Sequence, residues 1–461
     1  MRSSIQSHLW PAVQTGQAAT LLALQQQFQQ TEFWPAEALR AAQFEQLSVL
    51  VEHAIRTIPF YAERLRAAGI APGKKLTEAA WARIPILTRT QVRDNGTRLH
   101  ASSIPPSHGG TGDVATGGST GVPVRVRKTE LAELMWQAVL IREELWHRAE
   151  PRAMQLRIKD LAGLPPAIAA AAGTPQGALL PDWGPPHNLL WQTGKMALID
   201  HRQPIAAQAA LLQRLRPGYL FTMPANLRLL LAHFRMAGRR LDCLRAVWTL
   251  SEVVDDGLRA ACQAVFGCPI VHNYSAAETG YIALQCPQAT HFHVQSETIL
   301  AEVLDENNRP CAPGQTGRVV VTPLHNFAMP LLRYEVGDQA EVGAPCACGR
   351  GLPVLNQIVG RTVDALSLPS GQKRYTRVGH NRISKIVAVL EYQVIQRSLE
   401  RIEVLMVLGG ALTAAEDAEI RAVLADELGT EFRIDITFCE SIPRTPAGKL
   451  RPFVSDLPTE E

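Results

Sequence analysis

Between Gly218 and Glu278 the sequence alternates short apolar runs with segments of helical spacing, and this alternation restricts the chain to few architectures. YLFTM, LRAVWTL and PIVHNYS are too short for helices and too continuously apolar for half-exposed strands. NLRLLLAHFRMAG and DDGLRAACQAVFG instead repeat their apolar residues at helical spacing. Strands buried on both faces and joined through helices make an α/β layout. Ligands in such folds sit beyond the carboxyl ends of the strands, where this sequence places Ser251-Glu252 and the run from Tyr274 to Glu278.

The flanking segments extend the picture. The opening third reads as helical, with Leu47, Leu50, Val51, Ala54, Ile55 and Ile58 at helical spacing before Pro59 interrupts. The Gly-, Ser- and Thr-rich stretch from Ser102 to Pro123 reads as loop, followed by a strand carrying Val122, Val124 and Val126. His291 to Val342 is rich in strands. Near the end, EYQVIQRS, RIEVLMVL and FRIDITF read as strands, the last with Phe432, Ile434, Ile436 and Phe438 on one face. The helix between them carries a capping box, Thr413 with Glu416, and a left-handed stop at Gly429. The expected fold is α/β: a large N-terminal domain of layered sheets and helices over 1–361, and a small, mobile α+β domain over 362–461.

Composition narrows the partners. With 46% hydrophobic and 19% charged residues the chain suits a folded globular protein, and a formal charge of +3 without a basic run argues against nucleic acid or membrane as the main partner. A small-molecule substrate is expected. The N-terminal residues lack the basic, apolar and small-residue succession of a leader peptide, so a cytoplasmic protein is expected. None of the eight cysteines precedes Cys243, which does not match a disulfide framework.

Five segments carry chemistry. In TGGSTGVP, Thr116, Gly117, Gly118, Ser119, Thr120 and Gly121 offer backbone and hydroxyl donors suited to a phosphate, though such a run is also an ordinary turn. Glu278, in NYSAAETG, is either a Mg²⁺ ligand or a helix-start acid. Asp338, ending RYEVGD, suits a ribose hydroxyl pair or a β-turn. Arg361 offers a planar cation to phosphate or to a surface ion pair. Lys449, in the proline-bounded loop IPRTPAGKLRP, presents a mobile charge that suits a developing phosphorane or plain solvent.

In this order TGGSTG, YSAAE, RYEVGD, GRTVD and PRTPAGK resemble the adenylate-forming superfamily of acyl-CoA synthetases, adenylation domains and luciferases. IPFYAERLRAAGI, RIPILTRTQVRDN, CACGR and EYQVIQRSL look like its phenylacetate-CoA ligase branch. The resemblance implies that a substrate carboxylate attacks the α-phosphate of Mg-ATP, releasing pyrophosphate, and that the acyl-adenylate then passes to CoA. It implies phosphate contacts for Thr116 to Gly121 and nucleotide contacts for Ser251, Glu252, Tyr274, Ser275, Ala276 and Arg361. It further implies Mg²⁺ on Glu278, ribose on Asp338, the α-phosphate on Lys449 and a hinge at Asp364. Val122 stands where many members have Lys, and Ser275 where glycine is usual. The stretch after the hinge, ALSLPSGQKRYTRVGHNRISKI, lacks the branch's Arg-Gly-x-Asn pattern, which keeps an amine or a carrier-protein thiol open as the acceptor.

Cys286, Cys346 and Cys348, with His291 or His293, supply four ligands for a closed zinc site, the alternative being buried thiols. Some members of the branch carry such a metal, and His293 fits their His-Val position better. The same Cys/His set leaves room for a third reading, a non-catalytic zinc-bearing nucleotide-binding protein. The expected acid is aryl or arylacetic, a family-level expectation, with Trp248, Tyr274 and Tyr281 as possible walls.

Overall fold

The computed structural model describes residues 1–115, 124–361, 365–370, 373–375, 382–383, 386–387, 389–444, 450–451 and 453–457. These form two compact units, one of 1–151, 184–192 and 273–359, the other of 152–183, 193–272 and 360–461. The division at 359–360 falls beside the expected boundary at Arg361, while 152–183 and 193–272 group with the C-terminal residues.

The first unit opens with helices. Ala36–Thr57 buries Leu39, Phe44, Leu47, Leu50, Val51 and Ala54 along one stripe. It ends at Ile58, because Pro59 has no N–H to continue the ladder and starts Pro59–Ala67 instead. The stripe packs on antiparallel strands Ile299–Leu304, Thr316–Pro323 and Tyr334–Val342, in register through Leu300↔Thr322 and Val321↔Tyr334. Strands Phe292–Val294 and Gly280–Gln285 continue the antiparallel pairing, and Tyr274↔Ala283 joins the end of Ile270–Ala276 to it.

The loop expected over 102–123 contains a strand. Thr111–Ala115 pairs with Arg125–Thr129, placing Val114 opposite Val126 and Asp113 opposite Arg127, whose side chains form an ion pair at 2.9 Å. A run as polar as TGDVA shows no apolar period, so the pairing rests on its partner strand.

In the second unit Gln155–Lys159, Met196–Asp200, Tyr219–Phe221, Ala246–Thr249 and residues 270–272 form parallel pairs, with Ala178–Leu180 antiparallel beside Met196–Asp200. Helices Ile205–Leu215, Pro224–Met236 and Asp256–Phe266 bury Leu212, Leu227, Leu231, Phe234 and Phe266 against them. The predicted α/β layout is therefore present.

The same unit holds a smaller sheet in the order Arg433–Phe438, Arg401–Leu408, Val389–Gln396, Phe453–Ser455. Ile402, Val404 and Met406 alternate onto its buried face, against Ile420, Leu424 and Leu428 of helix Ala414–Leu428. Both halves of the Thr413/Glu416 capping box form. Gly429 takes positive φ, 108°, but with ψ 143° it ends the helix outside the left-handed helical well. Of the residues expected on one face, Phe432 is buried, Ile434 and Ile436 are partly buried against the same core, and Phe438, at the end of an edge strand, is 43% exposed.

Helix Glu130–Trp146 places the carboxyl of Glu143 in the first unit's interior, where both its oxygens accept from Asn273 Nδ2 at 3.1 and 3.3 Å. Burial pushes its pKa up to about 8. Because the folded-state pKa lies above the unfolded one, stability falls as pH rises from about 4.5 to 8 by up to about 1.4 kcal/mol per pH unit. Glu143→Gln keeps an acceptor for Asn273 and removes the titration. Its melting temperature should match wild type near pH 4.5 and exceed it increasingly toward pH 8, as scanning calorimetry at both pH values will show.

Candidate functional site

The segment from Tyr274 to Glu278 leaves the sheet through a tight turn, with Ala276 opposite Gly280. It is tied twice to strand Tyr334–Val342. Tyr274 donates its hydroxyl to Asp338 Oδ2 at 2.8 Å, and Tyr334 donates to Glu278 Oε1 at 3.1 Å. Ser275 Oγ donates back to Asn273 Oδ1 at 3.2 Å. Two motifs far apart in sequence thus meet.

Glu278 is buried and forms an ion pair with Arg89 Nη1 at 3.3 Å. Arg89 reaches it through local devices. Thr88 caps helix Arg89–Asn95 with a capping box to Gln91, fixing Arg89 in the first turn. Leu87 N donates to Arg333 O at 2.8 Å, and Leu87 O accepts from Glu335 N at 3.0 Å, so Arg89 is held beside Tyr334. Arg333 is an anchor: its backbone is left-handed, φ 52°, and its buried guanidinium donates to Ala82 O, Ile84 O and Glu302. Burial, first of all, raises the Tyr334 pKa, so its phenol stays a donor to Glu278.

Arg89 and Tyr334 escape a motif-based reading. Both lie inside segments with a family resemblance, RIPILTRTQVRDN and RYEVGD, but only the Leu87–Tyr334 bridge brings them to Glu278. The buried carboxylate with a cation at its side suits a site for metal-bound polyphosphate, where an arginine and an acid share the charge.

In the second unit Ser251 follows strand Ala246–Thr249 and adopts the left-handed region, φ 72°. That turn aims Glu252 at two backbone donors: Oε2 accepts from Ala225 N, at the start of helix Pro224–Met236, at 2.8 Å, and Oε1 from Leu450 N at 3.2 Å. Of the suggested wall aromatics, Trp248 packs edge-on to Tyr219, ring centroids 6.5 Å apart, whereas Tyr281 stacks on Trp136 at 5.9 Å. Arg361 ends strand Val354–Arg361, its side chain outside the description. Thr116 to Gly121, Asp364 and Lys449 lie outside the described residues.

The cysteine cluster assembles. The ligand atoms of Cys286, His293, Cys346 and Cys348 lie within 4.8 Å of one another. The Sγ atoms of Cys286 and Cys346 are 3.8 Å apart, and Cys348 Sγ lies 3.3 Å from His293 Nε2. Two sulfurs each about 2.3 Å from zinc at a tetrahedral angle lie about 3.8 Å apart, so this donor set fits the ion. His293 is fully buried, and Leu352 O near its Nδ1 (3.5 Å) favours a tautomer that leaves Nε2 as ligand. His291 contacts Cys346 Sγ from its Nε2 at 3.0 Å. The loop is pinned from outside, since Gly351 N donates to Glu32 O at 2.9 Å and Arg350 pairs with Glu32 at 3.1 Å. Among the described residues, no helix is long and apolar enough to cross a membrane.

The AMP-binding enzyme family model matches residues 189–328, which include Ser251-Glu252 and Tyr274 to Glu278. The CapK C-terminal domain model matches 372–456, which include Lys449. A phenylacetate-coenzyme A ligase of Thermus thermophilus is 26% identical over 482 aligned positions, covering 91% of this chain and 97% of the relative. One from Aromatoleum evansii is 26% identical over 72% of each chain. Among solved structures, 2-hydroxyisobutyryl-CoA ligase in the postadenylation state superposes with a TM-score of 0.69 at 18% identity, covering 92% of this chain and 91% of that one.

Proposed function

As a member of the AMP-binding, adenylate-forming superfamily, with acid-CoA ligases as relatives over most of its length, the chain carries, we propose, ATP-dependent activation of an aryl or arylacetic acid and its transfer to CoA. In the first step a substrate carboxylate oxygen bonds to the α-phosphorus of ATP and the bond to the β-phosphate oxygen breaks, releasing pyrophosphate. In the second the CoA sulfur bonds to the acyl carbon, its proton is lost and AMP leaves.

One observation carries the reading more than any other. The paired links Tyr274–Asp338 and Tyr334–Glu278 join two of the ordered motifs side by side. In this assignment Asp338 receives the ribose hydroxyls, and Tyr274, Ser275, Ala276, Ser251, Glu252 and Arg361 frame the nucleotide. Glu278 holds Mg²⁺, which draws charge from the phosphates when bound, and Arg89 balances the carboxylate. Thr116 to Gly121 cradle phosphate, and Lys449 steadies the α-phosphate. Residues 1–361 serve as the ATP- and acid-binding domain, and 362–461 as a lid turning at Asp364. The Cys286, His293, Cys346 and Cys348 set holds zinc as a structural brace, remote in role from the chemistry.

Incubation with a panel of acids, ATP and Mg²⁺ should release pyrophosphate only when an acid is present, and CoA should convert the acyl-adenylate to a thioester. Acyl-AMP without any thioester would favour transfer to an amine or carrier-protein thiol, the reading prompted by the departures after Asp364. No acid-dependent pyrophosphate at all would favour a zinc-bearing nucleotide-binding protein.

A further inference from the structure

One buried carboxyl of the first unit has no cation to account for it. Glu32 pairs with Arg350, Glu144 with His187 and Glu278 with Arg89. Glu143, on helix Glu130–Trp146, is 1% exposed, and among the described residues its hydrogen bonds go to a single neutral group, Asn273 Nδ2. A carboxyl placed in this way costs stability, and burial has already pushed its pKa up to about 8. Its use to the protein must then lie in what it does to Asn273.

Asn273 sits where strand Ile270–Ala276 changes course. Tyr274 lies opposite Ala283 but Ser275 lies opposite Tyr281, so the register shifts between them. Such a shift re-aims the side chains that follow it. Ser275 Oγ reaches back across it and donates to Asn273 Oδ1 at 3.2 Å. The two ends of one amide therefore serve different partners, Nδ2 the buried Glu143 and Oδ1 the turn. Turning the amide over would set Oδ1 against two carboxyl oxygens that hold at most one proton between them, and would oppose the Ser275 proton with an N–H donor. Glu143 thus decides which way Asn273 points. Ser275 stands where glycine is usual, and a hydroxyl at this point needs an acceptor that glycine would not. Asp338 holds Tyr274, while Arg89 and Tyr334 hold Glu278, so the Ser275 bond ties the turn between its two anchored ends.

We propose that Glu143 is a positioning residue for adenylation: acting through Asn273 it fixes Ser275, and with it the course of the turn from Tyr274 to Glu278. This rests on the adenylation reading above and adds to it a buried side chain that touches no substrate. The serine, the asparagine and the glutamate form one unit, so the loss of any member should matter only while the others are present.

A double-mutant cycle tests this. Glu143→Met, which keeps the length of the side chain, should lower kcat/KM for acid-dependent pyrophosphate release by about tenfold, and Glu143→Gln should restore most of it. In a Ser275→Gly background Glu143→Met should cost no more than about twofold further. Equal losses in both backgrounds, or no rescue by glutamine, make Glu143 a core residue alone and overturn the inference. Hydrogen exchange of the amides from Tyr274 to Glu278 needs no turnover: it should quicken in Glu143→Met and stay slow in Glu143→Gln. Ser275→Ala changes a partly exposed position and breaks the bond that the inference requires, so unchanged exchange in that variant overturns it even where Glu143→Met does not fold. Pyrophosphate release that ignores the cycle overturns the positioning role while adenylation stands; exchange that follows the cycle in a protein that releases no pyrophosphate with any acid overturns adenylation while the control of the turn by Glu143 stands.

Discussion

Lys449→Ala should lose about 10²- to 10³-fold in the rate of acyl-adenylate formation, the scale of removing one preorganised group that meets transition-state charge, while thioester formation from preformed acyl-AMP changes little. The lysine follows Pro446 and Gly448, and the next residue, Leu450, donates its N–H to Glu252, which also accepts from Ala225 N. That carboxylate ties Leu450, the residue after the lysine, to the start of helix Pro224–Met236. In the proposed assignment the ammonium acts while negative charge builds on the α-phosphate and not when a thiol meets a carbonyl carbon. Lys449→Arg should recover little, because a planar guanidinium distributes its charge differently from a compact ammonium. Acid-dependent pyrophosphate exchange measures the first step, and synthetic acyl-AMP with CoA measures the second. Equal losses in both steps would mean that the lysine supports the fold of the loop; undiminished exchange would remove it from the chemistry.

The extent to which the sequence reveals such a site follows the range of the interactions that build it. Strands Tyr219–Phe221, Ala246–Thr249 and Ile270–Ala276 are legible because both faces are buried and the intervening helices keep their own period. The Thr413 capping box is legible because it closes over three residues. Strand Thr111–Ala115 is not, because its partner decides it. Arg89 is invisible for the same reason: nothing near it in sequence announces Glu278, and only the backbone bridge from Leu87 to Tyr334 delivers it. The choice between His291 and His293 also waits on three dimensions. Strand Phe292–Val294 turns His293 inward toward Cys348, while His291, just ahead of the strand, meets Cys346. Glu143 shows the opposite failure, since a glutamate on an amphipathic helix reads as solvent-facing until its burial against Asn273 is seen.

The cysteine cluster yields the second large effect. Purified protein should contain close to one zinc per chain, and Cys346→Ser with Cys348→Ser should abolish that stoichiometry and lower the melting temperature by roughly 6–20 °C, taking about 3–5 kcal/mol for a lost structural metal and about 2–4 °C per kcal/mol. The geometry sets that expectation. Three sulfurs and one imidazole nitrogen within 4.8 Å draw together the end of strand Gly280–Gln285, strand Phe292–Val294 and the loop from Cys346 to Gly351, which Glu32 holds through Gly351 N and Arg350. A metal there ties the Cys346–Gly351 loop to the paired strands Gly280–Gln285 and Phe292–Val294, so its loss frees the loop. His291→Ala separates the ligand from its neighbour: with His293 as the fourth donor, zinc content should persist in His291→Ala and fall in His293→Ala. Elemental analysis after exhaustive dialysis, alongside calorimetric melting with and without a strong chelator, checks both statements. A metal-free protein whose melting temperature ignores added zinc would leave these four residues as packed thiols and a core histidine.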